Sequence, residues 1–335
     1  MADLKQTKGR VTFRGKIYGL KNENAVENKE KFKKLKFRIN TNSDNAHFVE
    51  IVDFANKDKV YFRVASPSDK DVAVFVGLDY MYHDSSFEEI IEAFKEDMDI
   101  DEKFNESGIE LDELKEEHVR MSGTIAVKTP NDEKTQYLLP EFAIDEILEN
   151  FDDGQSVVIV AEKTVSGSDT AYNQYVIKRM FIMKEKDKDT KEEKLASVNF
   201  DAEDFIEQAD FEDEFIFNSI QKKSKEKRAE IDGYAVAYTG NIVPVKYVVD
   251  WSEYSEDEEV ANHILKNCKF GQQIKVEGVV HNRVTYGEVK STEGVGRNTK
   301  SSKPRREITG ERRELQVIKF DKVVKTYTEK EVLGE

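Results

Sequence analysis

The chain has 335 residues, a net charge of −16 at neutral pH and a sequence pI of about 5.0, with 36% charged and 38% hydrophobic residues. That length allows roughly two or three domains with cores of their own, and 20 Phe with 13 Tyr exclude a disordered chain. A single cysteine, Cys268, excludes an internal disulfide or a zinc knuckle, and the sequence holds no apolar run long enough to span a membrane. With no signal peptide at MADLKQTKGR, a soluble cytoplasmic protein is expected, in the host cytoplasm if viral, with no membrane partner.

In chain order, residues 8–82 are strand-rich (VTFRGKIYGL, KKLKFRIN, HFVEIVDF, KVYFRV, DVAVFVGL) and predict an N-terminal barrel. Its first strand turns Val11, Phe13, Gly15 and Ile17 inward, leaving Arg14, Lys16 and Tyr18 outside, and the mid-strand Gly predicts a bend or a close backbone approach. Residues 84–117 hold 15 acids against three lysines and read as an acidic helical insertion. Residues 118–184 form a middle unit, and 185–229 a charged linker whose acidic-aromatic segment, 199–217, has eight acids and no Lys or Arg. Residues 230–330 form a last unit with a basic loop at 291–313, net +4. Setting the two acidic segments aside leaves the rest of the chain at +4, so the overall charge does not decide what the remaining surface binds.

The middle and last units repeat one another without gaps at an offset of 117 residues: Ile147-Leu148 becomes Ile264-Leu265, Asn150 becomes Asn267, and Gly154-Gln155 becomes Gly271-Gln272. Further back, Val119-x-Met121-x-Gly123-x-Ile125 becomes Val236-x-Tyr238-x-Gly240-x-Ile242, a spacing also present at Val11-x-Phe13-x-Gly15-x-Ile17. Residues 141–150 and 258–267 carry apolar residues at helical spacing, each followed by a Gly able to end the helix in a left-handed conformation. Strands are expected at 157–161 and 274–280, then a polar loop, then strands at 175–183 and 315–325. The fold class expected is mainly β with added helices, as small Greek-key barrels.

This ordered combination resembles the OB-fold of bacterial and bacteriophage single-stranded DNA-binding proteins. The residues that carry the likeness are the VxΦxGxI first strand (Φ a large apolar residue), the helix-to-Gly junction, and IKVEGVVHNR running into a long basic loop. The likeness covers roughly 119–183 and 236–325. It implies tandem OB-fold domains and single-stranded DNA as the partner, in phage DNA replication or recombination, without catalysis or cofactor. Each unit is one strand short before its helix, so other segments must complete the barrel. The end YTEKEVLGE lacks the acidic, aromatic-tipped tail by which bacterial members recruit partners, so contacts with replisome proteins would fall to 84–117 and 199–217.

Single-strand binding needs cations along the phosphates and rings on which bases stack. The candidates are Arg14, Lys16, Tyr18, Lys34, Lys36 and Arg38 in the first region, and Tyr172 and Lys178 in the middle unit. In the last unit they are Lys246, Tyr247, Trp251, Arg283 and Tyr286, with the loop cations Arg297, Lys300, Lys303, Arg305, Arg306, Arg312 and Arg313. Any of the rings competes with a place in the core.

Catalysis finds little support. The five histidines lack metal-ligand spacing, no GxxxxGK occurs, and Asp97, Asp99 and Asp101 lack the Gly and the acid a calcium loop requires. Glu288-x-Lys290 has a nuclease-like spacing with no upstream acid pair. The rival expectation is a scaffolding protein of a phage particle or replisome that uses such barrels for protein contacts.

Overall fold

The computed structural model describes residues 4, 6–29, 32–53, 59–65, 73–79, 120–122, 125–167, 171–186, 193–237, 240–288 and 306–333; for 59–65, 73–79, 120–122, 186, 286–288 and 306–307 the description is of the backbone. The strands are β1 (Gly9–Tyr18), β2 (Val26–Lys29), β3 (Phe32–Asn40), β4 (Ala46–Asp53), β5 (Lys59–Ala65), β6 (Ala73–Asp79), β7 (Arg120–Ser122), β8 (Ile125–Lys128) and β9 (Gln136–Leu138). They continue with β10 (Ser156–Ser166), β11 (Tyr172–Ile182), β12 (Lys184–Lys186), β13 (Glu193–Leu195), β14 (Gln208–Lys223), β15 (Arg228–Val236), β16 (Ile242–Asp250), β17 (Gln272–Glu288) and β18 (Arg306–Thr326). The helices are α1 (Pro140–Asn150), α2 (Asp257–Asn267) and α3 (Glu329–Leu333). The protein is mainly β.

Alternation builds the first strand as expected: Val11, Phe13 and Ile17 are fully buried, while Arg14 and Tyr18 face solvent. Gly15 is required, because a Cβ there would lie 1.9 Å from the Asn40 carbonyl oxygen. At that point β1 exchanges one neighbour for another: residues 10–14 pair with β14 and residues 16–18 with β3.

Strand pairing closes two rings of five. In the first, β1 pairs antiparallel with β3, β3 with β4, and β10 with both β1 and β11, while a parallel bridge, Val176↔Glu50, joins β11 to β4. The second repeats the plan: β14 with β15, β15 with β16, β17 with both β14 and β18, and a parallel bridge, Val248↔Gln316, from β18 to β16. A helix precedes the fourth strand of each ring. It packs through Ala143, Ile144 and Ile147 in α1 and through Ala261 and Ile264 in α2.

The helix-to-glycine repeat is present, with one correction. Phe151 and Cys268 close the helices in extended conformation, and the glycines act three residues later. Gly154 (φ 89°) and Gly271 (φ 81°) turn the chain into the fourth strand, where their amides donate to the carbonyls of Ile17 and Phe217.

The rings meet through their first strands. Val11 pairs with Phe211 across them, and also with Ala161, while Phe211 pairs with Gly278. Ala161 and Gly278 are 117 residues apart, the offset of the repeat, so corresponding positions face each other as a local two-fold requires. One continuous core, from Val11 to Val317, runs through both rings.

The expected boundaries are therefore corrected. Regions 8–82 and 118–184 are not separate barrels: β1, β3 and β4 are completed by β10 and β11. The missing strands of the middle unit come from the N-terminal region, while β5, β6 and β7 form a separate three-stranded sheet. The linker expected at 185–229 contains β14, the first strand of the second ring. Its alternation places Ala209, Phe211, Asp213 and Phe215 inside and Asp210 and Glu212 outside, so acids that read as a solvated segment are one face of a strand. The supposed first strand at 236–242 spans the turn between β15 and β16. The acidic insertion 84–117 lies outside the described residues. Of the basic loop 291–313, Arg306 onward belongs to β18, whose ladder with β17 extends to Glu288↔Arg306.

Candidate nucleic-acid interface

On the outer face of the first ring, strand register sets Tyr18 of β1 beside Arg38 of β3, and Arg38 beside Phe48 of β4. Both rings are exposed, Tyr18 by 36% and Phe48 by 57%. The Arg38 guanidinium carbon lies 5.5 Å from the Tyr18 ring centroid, and Lys36 Nζ 5.1 Å from that of Phe48. Lys36, Arg38 and Arg14 are exposed and make no ion pair among the described residues. Lys16, half-buried, sits 5.4 Å from the Phe200 ring, and Lys34 is neutralised by Glu50 at 3.3 Å. Three adjacent strands thus present a ring, a cation and a ring in one row.

The other expected residues are dispersed. Tyr172 is 64% exposed at the start of β11, and Lys178 is exposed on the same strand. Lys246 is exposed on β16, 3.8 Å from Asp232. Tyr247 and Trp251 are corrected to core residues: Tyr247 stacks on Phe215 with centroids 4.2 Å apart, and Trp251 lies beneath Lys222. Both follow from the inward alternation of β16 and its end. Two cations are structural instead. Arg283 pairs with Asp44 and Glu207, while Arg312 pairs with Asp250 at 3.2 Å and Glu314 at 2.5 Å. Arg313 is 60% exposed beside Glu311. Tyr286 and Arg306 are placed by backbone alone, on β17 and β18. Arg297, Lys300, Lys303 and Arg305 lie outside the described residues.

A cavity of about 280 Å³ separates the rings. Phe48, Asn173 and Tyr175 line it from the first ring, and Lys246, His281 and Arg313 from the second. Below it a polar network ties the rings together. Asn45 donates to Glu207 at 2.7 Å and to the Val280 carbonyl at 3.2 Å, and Asn282 N–H donates to Asn45 Oδ1 at 2.8 Å. Burial pushes the Glu207 carboxyl up, but hydrogen bonds from Asn45 and Thr41 and the Arg283 charge hold it below the usual range. It is therefore an ionised acceptor.

Sequence reasoning missed Phe48, Phe200 and this network. Phe48 was available from alternation in HFVEIVDF, where it faces out opposite Val49 and Ile51. Asn45 and Glu207 are 162 residues apart and carried no local signal. Among the described residues, no group of three or more His, Cys, Asp or Glu is placed to hold a metal ion, and no helix is long and apolar enough to cross a membrane.

Residues 128–332 match the YorF family model, more than half of the chain, and the protein belongs to that family. The match runs from the end of β8 to α3 and leaves β1, β3 and β4 outside it. No curated protein matches the chain.

Proposed function

We propose that this member of the YorF family is a non-catalytic single-stranded DNA-binding protein of replication or recombination, built on two OB-folds. The ring order supports the fold reading. The first strand pairs with the second and fourth, the fifth closes in parallel against the third, and a helix precedes the fourth. OB-folds bind oligonucleotides on the face of their second and third strands. In the first ring those are β3 and β4, and the Tyr18–Arg38–Phe48 row with Lys36 lies across them. That row carries the reading: bases stack on the rings and phosphates meet the cations.

The test is fluorescence anisotropy of a labelled oligo-dT across a salt series. Affinity falls with salt at a slope of about −0.7 per phosphate neutralised. Phe48→Ala weakens binding by about 1–3 kcal/mol, roughly 5- to 150-fold. No binding to a long oligo-dT at low salt rejects the reading.

A second reading, a protein-contact scaffold, is favoured by one observation. The corresponding face of the second ring carries Glu230 and Asp232 on β15 against Lys246 on β16, with no matching row of exposed rings among the described residues. Co-purification with particle or replisome proteins without nucleic-acid affinity would decide for it.

A further inference from the structure

The cavity between the rings combines what a single nucleotide requires. Phe48 and Tyr175 supply ring faces, Asn173 and His281 supply polar groups, and Lys246 and Arg313 supply exposed cations. Its 280 Å³ lies at the lower end of small-molecule sites, roughly 300–1,000 Å³, which suits one base and excludes an oligonucleotide.

Two histidines line it, and their hydrogen bonds fix which ring nitrogen is bare. The Thr41 hydroxyl donates to ionised Glu207 at 2.8 Å, so its oxygen accepts from His47 Nε2 at 3.2 Å. Gln316 Oε1 accepts from Arg312 at 3.0 Å and from His281 Nε2 at 2.8 Å. Each Nδ1 is therefore the unprotonated nitrogen, and each is buried without a partner among the described residues. Burial lowers both imidazoles, His47 to about 3, so neither is protonated near neutrality. Bare buried acceptors are unfavourable, and an N–H donor relieves them.

We propose that this cavity admits one nucleobase bearing an exocyclic amino group, from a strand crossing between the rings, with its flanking phosphate on Lys246 and Arg313. The inference rests on the single-strand reading and adds to it a subsite and a base preference. Cytosine presents an N4 amino donor where thymine presents the O4 acceptor, so the cavity favours cytosine.

The full chain is titrated with oligo-dC and oligo-dT of about 30 nucleotides, near twice the ~16-nucleotide upper footprint of one such barrel. Oligo-dC binds roughly 5-fold tighter at equal salt, the value of one hydrogen bond. His281→Leu abolishes the difference and leaves oligo-dT affinity unchanged. Arg313→Ala weakens both oligomers and reduces the salt slope by about 0.7. Equal wild-type affinities, or a cytosine preference that survives His281→Leu, overturn the subsite and leave the outer row standing as a binding face. Should His281→Leu fail to fold, exposed Arg313 decides, and an unchanged salt slope overturns the assignment. Failure to bind either oligomer overturns both readings.

Discussion

Asp213→Ala tests what holds the two rings in register. Lys163 of β10 and Asp213 of β14 are each 2% exposed, with Lys163 Nζ 2.5 Å from Asp213 Oδ2. The Tyr247 hydroxyl donates to the same oxygen at 2.5 Å, and burial raises its pKa well above the ordinary value, so it stays a donor. Lys163 reaches across β1 because its register partner is Gly9, where a Cβ would lie 2.5 Å from Asp213 Oδ1. Removing the carboxylate leaves a buried ammonium uncompensated, a loss of about 3–5 kcal/mol. The Tyr247 hydroxyl loses its acceptor as well, so the upper half of that range is expected. At about 2–4 °C per kcal/mol, the melting temperature falls by roughly 8–20 °C. The triple variant Lys163→Met, Asp213→Leu, Tyr247→Phe removes both charges and the orphaned hydroxyl, and should lie within about 2 kcal/mol of wild type. Urea unfolding followed by circular dichroism measures all three proteins. An Asp213→Ala protein as stable as wild type, or less damaged than the triple variant, refutes the argument.

Two further predictions concern titration. His47 is held down to about 3, first by burial, so between pH 6.5 and 3 the unfolded chain takes up a proton that the folded chain refuses. Stability is therefore full above pH 6.5 and declines as pH falls through that window, by about 4–5 kcal/mol at its bottom; His47→Gln flattens the decline between pH 6.5 and 4.5 in urea titrations. Burial pushes the Cys268 thiol up to about 11, so iodoacetamide at mildly alkaline pH labels it about 100-fold more slowly in the folded protein than in urea.

What was legible in the sequence was local. Val11, Phe13 and Ile17 announce a one-sided strand because the pleat has period two, and Ile144 and Ile147 mark a helix face by their spacing. Tyr18, Lys36 and Arg38 follow from the same alternation, which is why half of the outer row could be named in advance. What was hidden depends on chain closure. The first ring takes its strands from both sides of residues 54–124, and no periodicity states which distant strands pair. The second ring's first strand was hidden by its charges, since Asp210, Glu212 and Glu214 on one face look like a solvated tail until Phe211 and Phe215 are counted on the other. Arg283 and Arg312 were misassigned because sequence shows a cation but not the carboxylate that occupies it.

The strand chemistry also explains how an acidic protein keeps a basic face. On the outer side of the joined sheet, Arg10 of β1 stands opposite Glu212 of β14, and Glu212 opposite Glu277 of β17. Lys275 lies 3.4 Å from Glu212, and Lys319 lies 2.7 Å from Glu277. These acids are answered where they stand, and at physiological salt their field fades over about 8 Å. Lys36 and Arg38 lie at the opposite end of β3, where the carboxylate nearest in register, Glu50, is taken up by Lys34. A phosphate approaching Tyr18 and Phe48 therefore meets the local cations and not the chain's net −16. The sign of a binding face is set within one Debye length, and the strand that joins the two rings is what separates the acids from it.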